Sequence, residues 1–343
     1  MIKVQIAVAF MALILLGCDG SKRAKDTVSN QFSWITHIVD STMTDNNIPA
    51  VSIGVVRDNK LVYSKGFGVL NRDKKQRVSE RAIYQIGSDT KKMTAIIAKN
   101  LANEGKLNFN VSINQYLDIN ISDSAKVKLE KITLEHLLTH KAGIPYRTPS
   151  NKRIDGEAML EAYTETDLLN DLNVMKPESA SGSEFGYSNF GYAIAGYICE
   201  LASGMTYTEL IQHYIAKTYA MPNTTLELDE KQKVLLATPY RKDNRTIATS
   251  PWNMGELAPA GGVYSNVVDQ SKLMIEQIKA YRNYTQSKTN NSPLILTQDD
   301  QEEGGHYGLG LGKSVDENGA RYGLGGVLDG YASSYVFSPE INV

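Results

Sequence analysis

The sequence predicts a mixed α/β fold of the α+β kind. An antiparallel sheet made from the N- and C-terminal parts is flanked by helices, and an all-helical subdomain is inserted between them. Three observations predict it. A β-branched run, Val51 to Val56, and a second run, Leu61 to Phe67, lie near the start. Runs that alternate glycine with apolar or aromatic residues lie near the end, from Tyr307 to Phe337. Between them apolar residues recur at helical spacing. With 343 residues, 42% hydrophobic and 22% charged, the chain can bury a sizeable core. A net charge of −2 without a long basic block excludes nucleic acid as an expected partner.

Taken in order, Lys3 precedes an apolar run from Ile6 to Leu16 that is short for a bilayer span. It ends in Leu15-Leu16-Gly17-Cys18, which resembles a bacterial lipoprotein signal whose cysteine is lipidated. The resemblance implies a signal peptide over 1–18, a polar tether over 19–28 and a single domain over 29–343. It also implies export, with the protein anchored by lipid at the periplasmic face of a membrane. Asp19 resembles an inner-membrane retention signal. Cys199 is then left in an apolar segment, as a core thiol without a disulfide partner.

Phe32, Ile35, Ile38, Val39 and Met43 predict a first amphipathic helix, ended by Pro49. The two runs flank Arg57-Asp58-Asn59-Lys60 and predict a hairpin. A helix is expected from Ser88 to about Glu104, stopped by Gly105, with Met93, Ile96, Ile97 and Leu101 as its apolar stripe. Thr133 caps a short helix, stopped by Gly143 and Pro145. Residues 150–180 are polar with helical tendency, anchored by Met159, Leu160, Leu168 and Leu169. The stretch Phe185 to Tyr192 leads into an apolar helix that stops at Gly204, and Thr206 with Glu209 forms a capping box for the next. Pro259 to Ser265 reads as a tight glycine-containing turn, Asp269 to Tyr281 as an amphipathic helix, and 282–304 as loop. Tyr331 to Phe337 closes as a strand. The glycines of Gly308 to Gly312 and of Tyr322 to Val327 mark strands that another backbone or a ligand approaches closely.

Chemistry centres on Ile86-Gly87-Ser88-Asp89-Thr90-Lys91. Ser88 and Lys91 are one helical turn apart, so their side chains can meet. A serine hydroxyl needs a base to become a nucleophile, and a lysine serves when burial lowers its pKa. His136 and His140 also share a face, but the zinc-protease pattern needs a glutamate where Leu137 stands, and no third ligand is near. Packing or hydrogen bonding is the expectation for both, with no metal and no cofactor.

Ser88-Asp89-Thr90-Lys91 followed by Tyr187-Ser188-Asn189 resembles the first two motifs of the serine β-lactamase and penicillin-binding protein superfamily. The tyrosine form of the second motif is similar to the class C β-lactamase branch with its D-peptidases and esterases. Ile132 to His140 with Gly143 and Pro145, and Ala260 to Ser265 with Asp269, resemble further stretches of that family, over roughly residues 30–340. The resemblance implies a β-lactamase/transpeptidase-like fold and an acyl-enzyme on Ser88. Lys91 takes the serine proton, and Tyr187 acts with Lys91 as acid and base, its phenol pKa lowered by the cation. Asn189 binds the substrate amide, and the backbone N–H groups of Ser88 and Val327 hold the oxyanion. Substrates implied are esters or amides, small or derived from peptidoglycan, as for an esterase, D-peptidase or β-lactamase. The alternative is a weakly active or inactive relative, a lipoprotein that binds a ligand or partner in the same groove.

Two departures from the family pattern stand out. Anchoring on Asp329-Gly330-Tyr331 places Leu324-Gly325-Gly326 at the third motif, where relatives carry a cation. Arg321, an odd number of residues away, is expected on the opposite strand face. Lys313 reaches in only from a neighbouring strand in the right register. The family also continues with a strand and a helix where this chain stops at Val343, so those elements are expected to be missing.

Overall fold

The computed structural model describes residues 32–117, 121–150, 162–241, 245–287, 291–297 and 306–343. Cys18, Asp19, the leader, the tether, Met159 and Leu160 lie outside these residues. The chain divides into two units, Met1–Ser41 and Thr42–Val343. Helix α1 (Ser33–Asp45), with Ile35 and Val39 buried, crosses the boundary. Everything below lies in the second unit.

The hairpin forms as read. β1 (Ala50–Arg57) and β2 (Lys60–Gly68) pair antiparallel. Asp58 and Asn59 at its turn have φ of 52° and 57°, the left-handed pair that a two-residue hairpin matched to strand twist requires. β3 (Tyr84–Gln85) follows and leads through a 3₁₀ turn, Gly87–Thr90, into α2 (Lys91–Asn103). Then come α3 (Asp123–Leu129), α4 (Leu134–Leu138), α5 (Glu165–Val174) and α6 (Asn189–Ser203). α6 ends at Gly204, whose φ of 70° lets the chain leave the helix without a Cβ clash. Thr206 and Glu209 make the expected capping box at α7 (Tyr207–Leu210). α8 (Glu230–Lys233) and the small ladder of β4 (Tyr240–Arg241) with β5 (Ile247–Ala248) precede α9 (Ala258–Gly261). β6 (Tyr264–Ser265) pairs with β3. Last come α10 (Val267–Ser287) and a sheet of order β10-β9-β8-β7, formed by β7 (His306–Tyr307), β8 (Gly312–Asp316), β9 (Gly319–Leu328) and β10 (Tyr331–Phe337).

The α+β architecture with a helical insertion is what the structure holds, with three differences of detail. Among the described residues the hairpin and the four-stranded sheet are separate ladders, not one continuous sheet. α10 links them by packing: a Cβ at Gly54 of β1 would touch Ser271 and Val267, while Tyr281 meets Tyr322 of β9 and Phe337 of β10. Next, α10 runs on to Ser287, so residues 282–287 are helix and not loop. Finally, the 259–265 stretch is not a simple turn, because it begins with the helical turn α9. Three bonds tie this segment to the nucleophile helix. Thr94 Oγ1 donates to the Pro259 carbonyl at 2.7 Å, Lys91 Nζ to Ala260 at 2.7 Å, and Val263 N–H to Thr90 Oγ1 at 3.2 Å.

The main core packs α2 against α6. Met93, Ile96, Ile97 and Leu101 are fully buried against Phe190, Ile194 and Ile198, and Cys199 is a buried free thiol in the same cluster. Burial pushes that thiol well up, so it stays protonated and inert. No helix among the described residues is long and apolar enough to cross a membrane.

Candidate active site

Ser88 sits in the 3₁₀ turn and is only partly covered, in a run where Gly87 and Asp89 to Ala98 are all buried. The turn is pinned on both sides. Gly87 has φ of 56°, and a Cβ there would lie 2.9 Å from the Val327 nitrogen. A Cβ at Gly326 would overlap the Ile86 carbonyl oxygen. Only glycine lets β9 and the turn approach this closely. Ser333 Oγ, paired across from Gly326, donates to that same Ile86 carbonyl at 2.7 Å. Beneath the turn, Lys92 Nζ lies 2.6 Å from Asp89 Oδ1, an ion pair with both side chains buried, and 3.8 Å above the Tyr335 ring. Neither Asp89 nor Lys92 stood out in the sequence as a site residue, because an acid and a base one turn apart on a helix are ordinarily a solvated pair.

The catalytic candidates converge. Lys91 Nζ lies 3.1 Å from Ser88 Oγ, 2.8 Å from Asn189 Oδ1 and 2.7 Å from the Ala260 carbonyl oxygen. The Tyr187 hydroxyl donates to Ser88 Oγ at 2.8 Å. Ser188 caps α6 by accepting from the Gly191 N–H, and this places Tyr187 just before the helix and Asn189 at its start. Lys91 is fully buried with no carboxylate on its amine, and burial lowers its pKa well below the usual value. A neutral amine has two protons and one lone pair. Its protons fit the two carbonyl oxygens of Ala260 and Asn189, which leaves the lone pair for the Ser88 hydroxyl proton.

Tyr187 departs from expectation. Burial pushes its phenol up to about 12, against the lowering by its bond with Ser88. The expected lowering required a cationic lysine, and the same burial works against the Lys91 cation. Tyr187 is therefore a protonated donor in this state of the site, and its ring lies 4.9 Å from Lys91 Nζ.

The third-motif residues occupy the edge of the site. β8 pairs with β9 only as far as Gly323, so among the described residues the β9 edge from Leu324 onward faces no strand on that side. Val327 N–H comes beside Gly87 there, the place an oxyanion donor needs, while the Val327 side chain points to solvent. Gly325 is exposed and Gly326 buried against the turn. Leu324 stands across from Tyr335 and packs on the main core. Arg321 is held by Asp316 at 2.7 Å. β8 is indeed the neighbouring strand, but its Lys313 is in register with Tyr322, two residues short of Leu324.

One contributor escaped the sequence reading, and a second, His140, packs and hydrogen-bonds as expected but does so beside the catalytic candidates. The Ala260 carbonyl is a backbone atom, and no residue type signals it. His140 lies against the Tyr187 ring at 4.2 Å and accepts from Ser188 N–H. His136 caps its own helix at Thr133 and meets the Ser181 hydroxyl at 2.7 Å, so the two histidines do not share a ligand. Among the described residues no group of three or more metal-ligating side chains occurs.

The family model described as Beta-lactamase matches residues 35–343. Protein flp of Staphylococcus aureus strain MW2 is 24% identical over 90% of this chain and 61% of its own length. A β-lactamase of Pseudomonas fluorescens is 28% identical over 68% of this chain and 62% of its own. The chain thus spans under two thirds of the curated relatives it matches. Among solved structures, the octameric penicillin-binding protein homologue from Pyrococcus abyssi has a TM-score of 0.76 at 25% identity, covering 90% of this chain and 71% of that one. The β-lactamase/D-alanine carboxypeptidase from Pseudomonas syringae has a TM-score of 0.74 at 20% identity, covering 90% and 91%.

Proposed function

The chain belongs to the Beta-lactamase family, and on that premise we propose that it is a serine hydrolase that forms an acyl-enzyme on Ser88. One observation carries the reading: a fully buried Lys91, lacking a carboxylate partner, 3.1 Å from the serine oxygen that Tyr187 also contacts at 2.8 Å. Lys91 accepts the proton as Ser88 attacks a substrate carbonyl. The N–H groups of Ser88 and Val327 hold the developing oxyanion, and Tyr187 passes its proton to the leaving group, to be recharged from Lys91. Asn189 turns its carbonyl to Lys91 and so has its amide N–H₂ free to meet the substrate.

The substrates we infer are esters or amides without a carboxylate beside the scissile bond. Leu324 supplies no charge there, and Arg321 is held by Asp316. The Tyr-x-Asn second motif supports a place beside the class C branch. The inferred substrates are small molecules or fragments derived from peptidoglycan, while β-lactams and D-alanyl carboxylates, suggested by the names of the Pseudomonas relatives, are disfavoured. Anchoring through Cys18 at the periplasmic face of a membrane is part of the same reading. The test is turnover of short-chain nitrophenyl esters by wild type and Ser88→Ala. Hydrolysis that Ser88→Ala abolishes, in a variant that melts like wild type, is the expected result. Equal turnover by both removes the mechanism. Ligand binding without turnover by wild type favours the non-catalytic alternative.

A further inference from the structure

His140 occupies a place that only tight constraint explains. Its backbone has φ of 59°, the left-handed region that a histidine enters rarely. Its side chain is 1% exposed. Two hydrogen bonds run from it to the residues on either side of Tyr187. The His140 carbonyl accepts from Gly186 N–H at 2.7 Å, and His140 Nδ1 accepts from Ser188 N–H at 3.0 Å. The imidazole lies between these bonds, 4.2 Å from the Tyr187 ring and tilted by 34°. Tyr192, Tyr307 and Phe185 close the remaining sides at 5.1, 4.8 and 5.6 Å. His140 Nε2 is buried without a hydrogen-bond partner.

A buried polar atom left unpaired is unfavourable, so packing alone would favour a phenylalanine or leucine here. What those residues lack is the Nδ1 acceptor. An acceptor at Nδ1 also fixes the tautomer, because the single proton of the neutral ring must then sit on Nε2. Burial pushes the His140 pKa down to about 3, which keeps the ring neutral and the acceptor available. The partner strand of contacts continues on the far side: Ser188 Oγ donates to the Pro145 carbonyl at 2.6 Å and Asn189 N–H to the Tyr146 carbonyl at 3.0 Å.

We propose that His140 is a positioning residue for Tyr187, its Nδ1 and carbonyl clamping Ser188 and Gly186 so that the phenol between them meets Ser88. This rests on Tyr187 belonging to the catalytic set, as proposed above. The clamp has a reason in the chain: Tyr187 precedes α6 and has no helix of its own to hold it. Displacing a reacting group by about 1 Å is enough to lose roughly a hundredfold in rate.

Two substitutions separate the acceptor from the ring. His140→Phe keeps an aromatic face against Tyr187 and removes Nδ1. His140→Asn removes the ring but keeps an acceptor near the Nδ1 position, and asparagine tolerates the left-handed backbone. Expected for His140→Phe is a loss of about 10- to 100-fold in kcat with KM within about twofold. In its crystal structure the Tyr187 hydroxyl moves beyond hydrogen-bond distance of Ser88 Oγ. His140→Asn recovers most of the kcat. Unchanged kcat in His140→Phe, with the phenol still at Ser88, overturns the inference, as does equal loss in both variants. The wild type itself gives a third readout, the ¹⁵N spectrum of the histidine side chains: a neutral ring protonated on Nε2 is expected for His140, and an Nδ1–H tautomer overturns the clamp. Should wild type prove inactive, the hydrolase reading fails. The crystal and tautomer readouts then still decide this one.

Discussion

Two lysines stand side by side in this site and meet opposite fates. Lys92 has Asp89 at 2.6 Å and forms an ion pair; Lys91 has two carbonyl oxygens and a hydroxyl, none of which can neutralise a charge. Removing an ammonium from water without a counter-charge is so unfavourable that the group gives up its proton instead. In the proposed mechanism the base is thus made by withholding a partner. Arginine cannot play this role, because its charge cannot be removed at any working pH. The same accounting governs Leu324. A lysine there would add a cation beside the open β9 edge, and a charge-assisted bond to a substrate carboxylate contributes about 1.5–3 kcal/mol. Leu324→Lys should therefore raise kcat/KM for a chromogenic cephalosporin by roughly ten- to a hundredfold, relative to a neutral nitrophenyl ester. If wild type already hydrolyses the cephalosporin efficiently and Leu324→Ala leaves that unchanged, another residue carries the charge.

At the scale of elements, the site depends on how closely β9 can lie against the nucleophile turn. Gly326→Ala puts a methyl into the Ile86 carbonyl, and either strand or turn must yield. Overpacking of this kind destabilises by about 1–3 kcal/mol. Because Val327 N–H moves with the strand, acylation should fall well beyond what the loss of folded protein explains. A variant with wild-type acylation per folded molecule would show that Val327 does not serve the oxyanion. A second element-level device ties α6 to the start of α7. Glu200 of α6 accepts from Tyr207 N–H at 2.6 Å, and its carboxyl is pushed up to about 8 by burial and by the charge of Glu256. The folded chain thus keeps a proton that the unfolded chain releases near pH 4.5. Stability from this group is fully present below that value and is lost as pH rises toward 8. Melting curves between pH 5 and 8 should fall less steeply for Glu200→Gln than for wild type, with the variant the more stable at pH 8. Parallel curves would mean that Glu200 titrates alike in both states.

For the molecule as a whole, what could be read in advance follows a physical line. Ser88 and Lys91 were legible from side-chain type and local spacing, Tyr187 and Asn189 only from the motif order of the resembled family, and hairpin and helices because periodicity and turn residues are local signals. The lowered pKa of Lys91 and the raised pKa of Tyr187 both come from burial by distant segments, which residue type and spacing do not signal. The Ala260 carbonyl has no residue-type signature, and the His140 clamp joins segments that only the fold brings together. Strand pairing is non-local in the same way: α10, not a hydrogen-bonded strand, links the two ladders among the described residues. The polar residues that hid the last turns of α10 simply lie on a helix that keeps its backbone bonds after its apolar stripe ends. Placement in the cell belongs to this scale too. Cys18→Ser should move the protein from the membrane fraction to the soluble one or leave its leader uncleaved, and wild type found wholly in the cytoplasm would contradict the anchor. The account's central claim, that buried Lys91 makes Ser88 a nucleophile, is tested most directly by mass spectrometry of intact protein after reaction with a fluorophosphonate. The account predicts one adduct per chain, mapped to Ser88, at a rate that falls by orders of magnitude in Lys91→Arg while Lys91→Arg remains folded. Labelling that is absent from wild type, maps elsewhere, or proceeds undiminished in Lys91→Arg would contradict it.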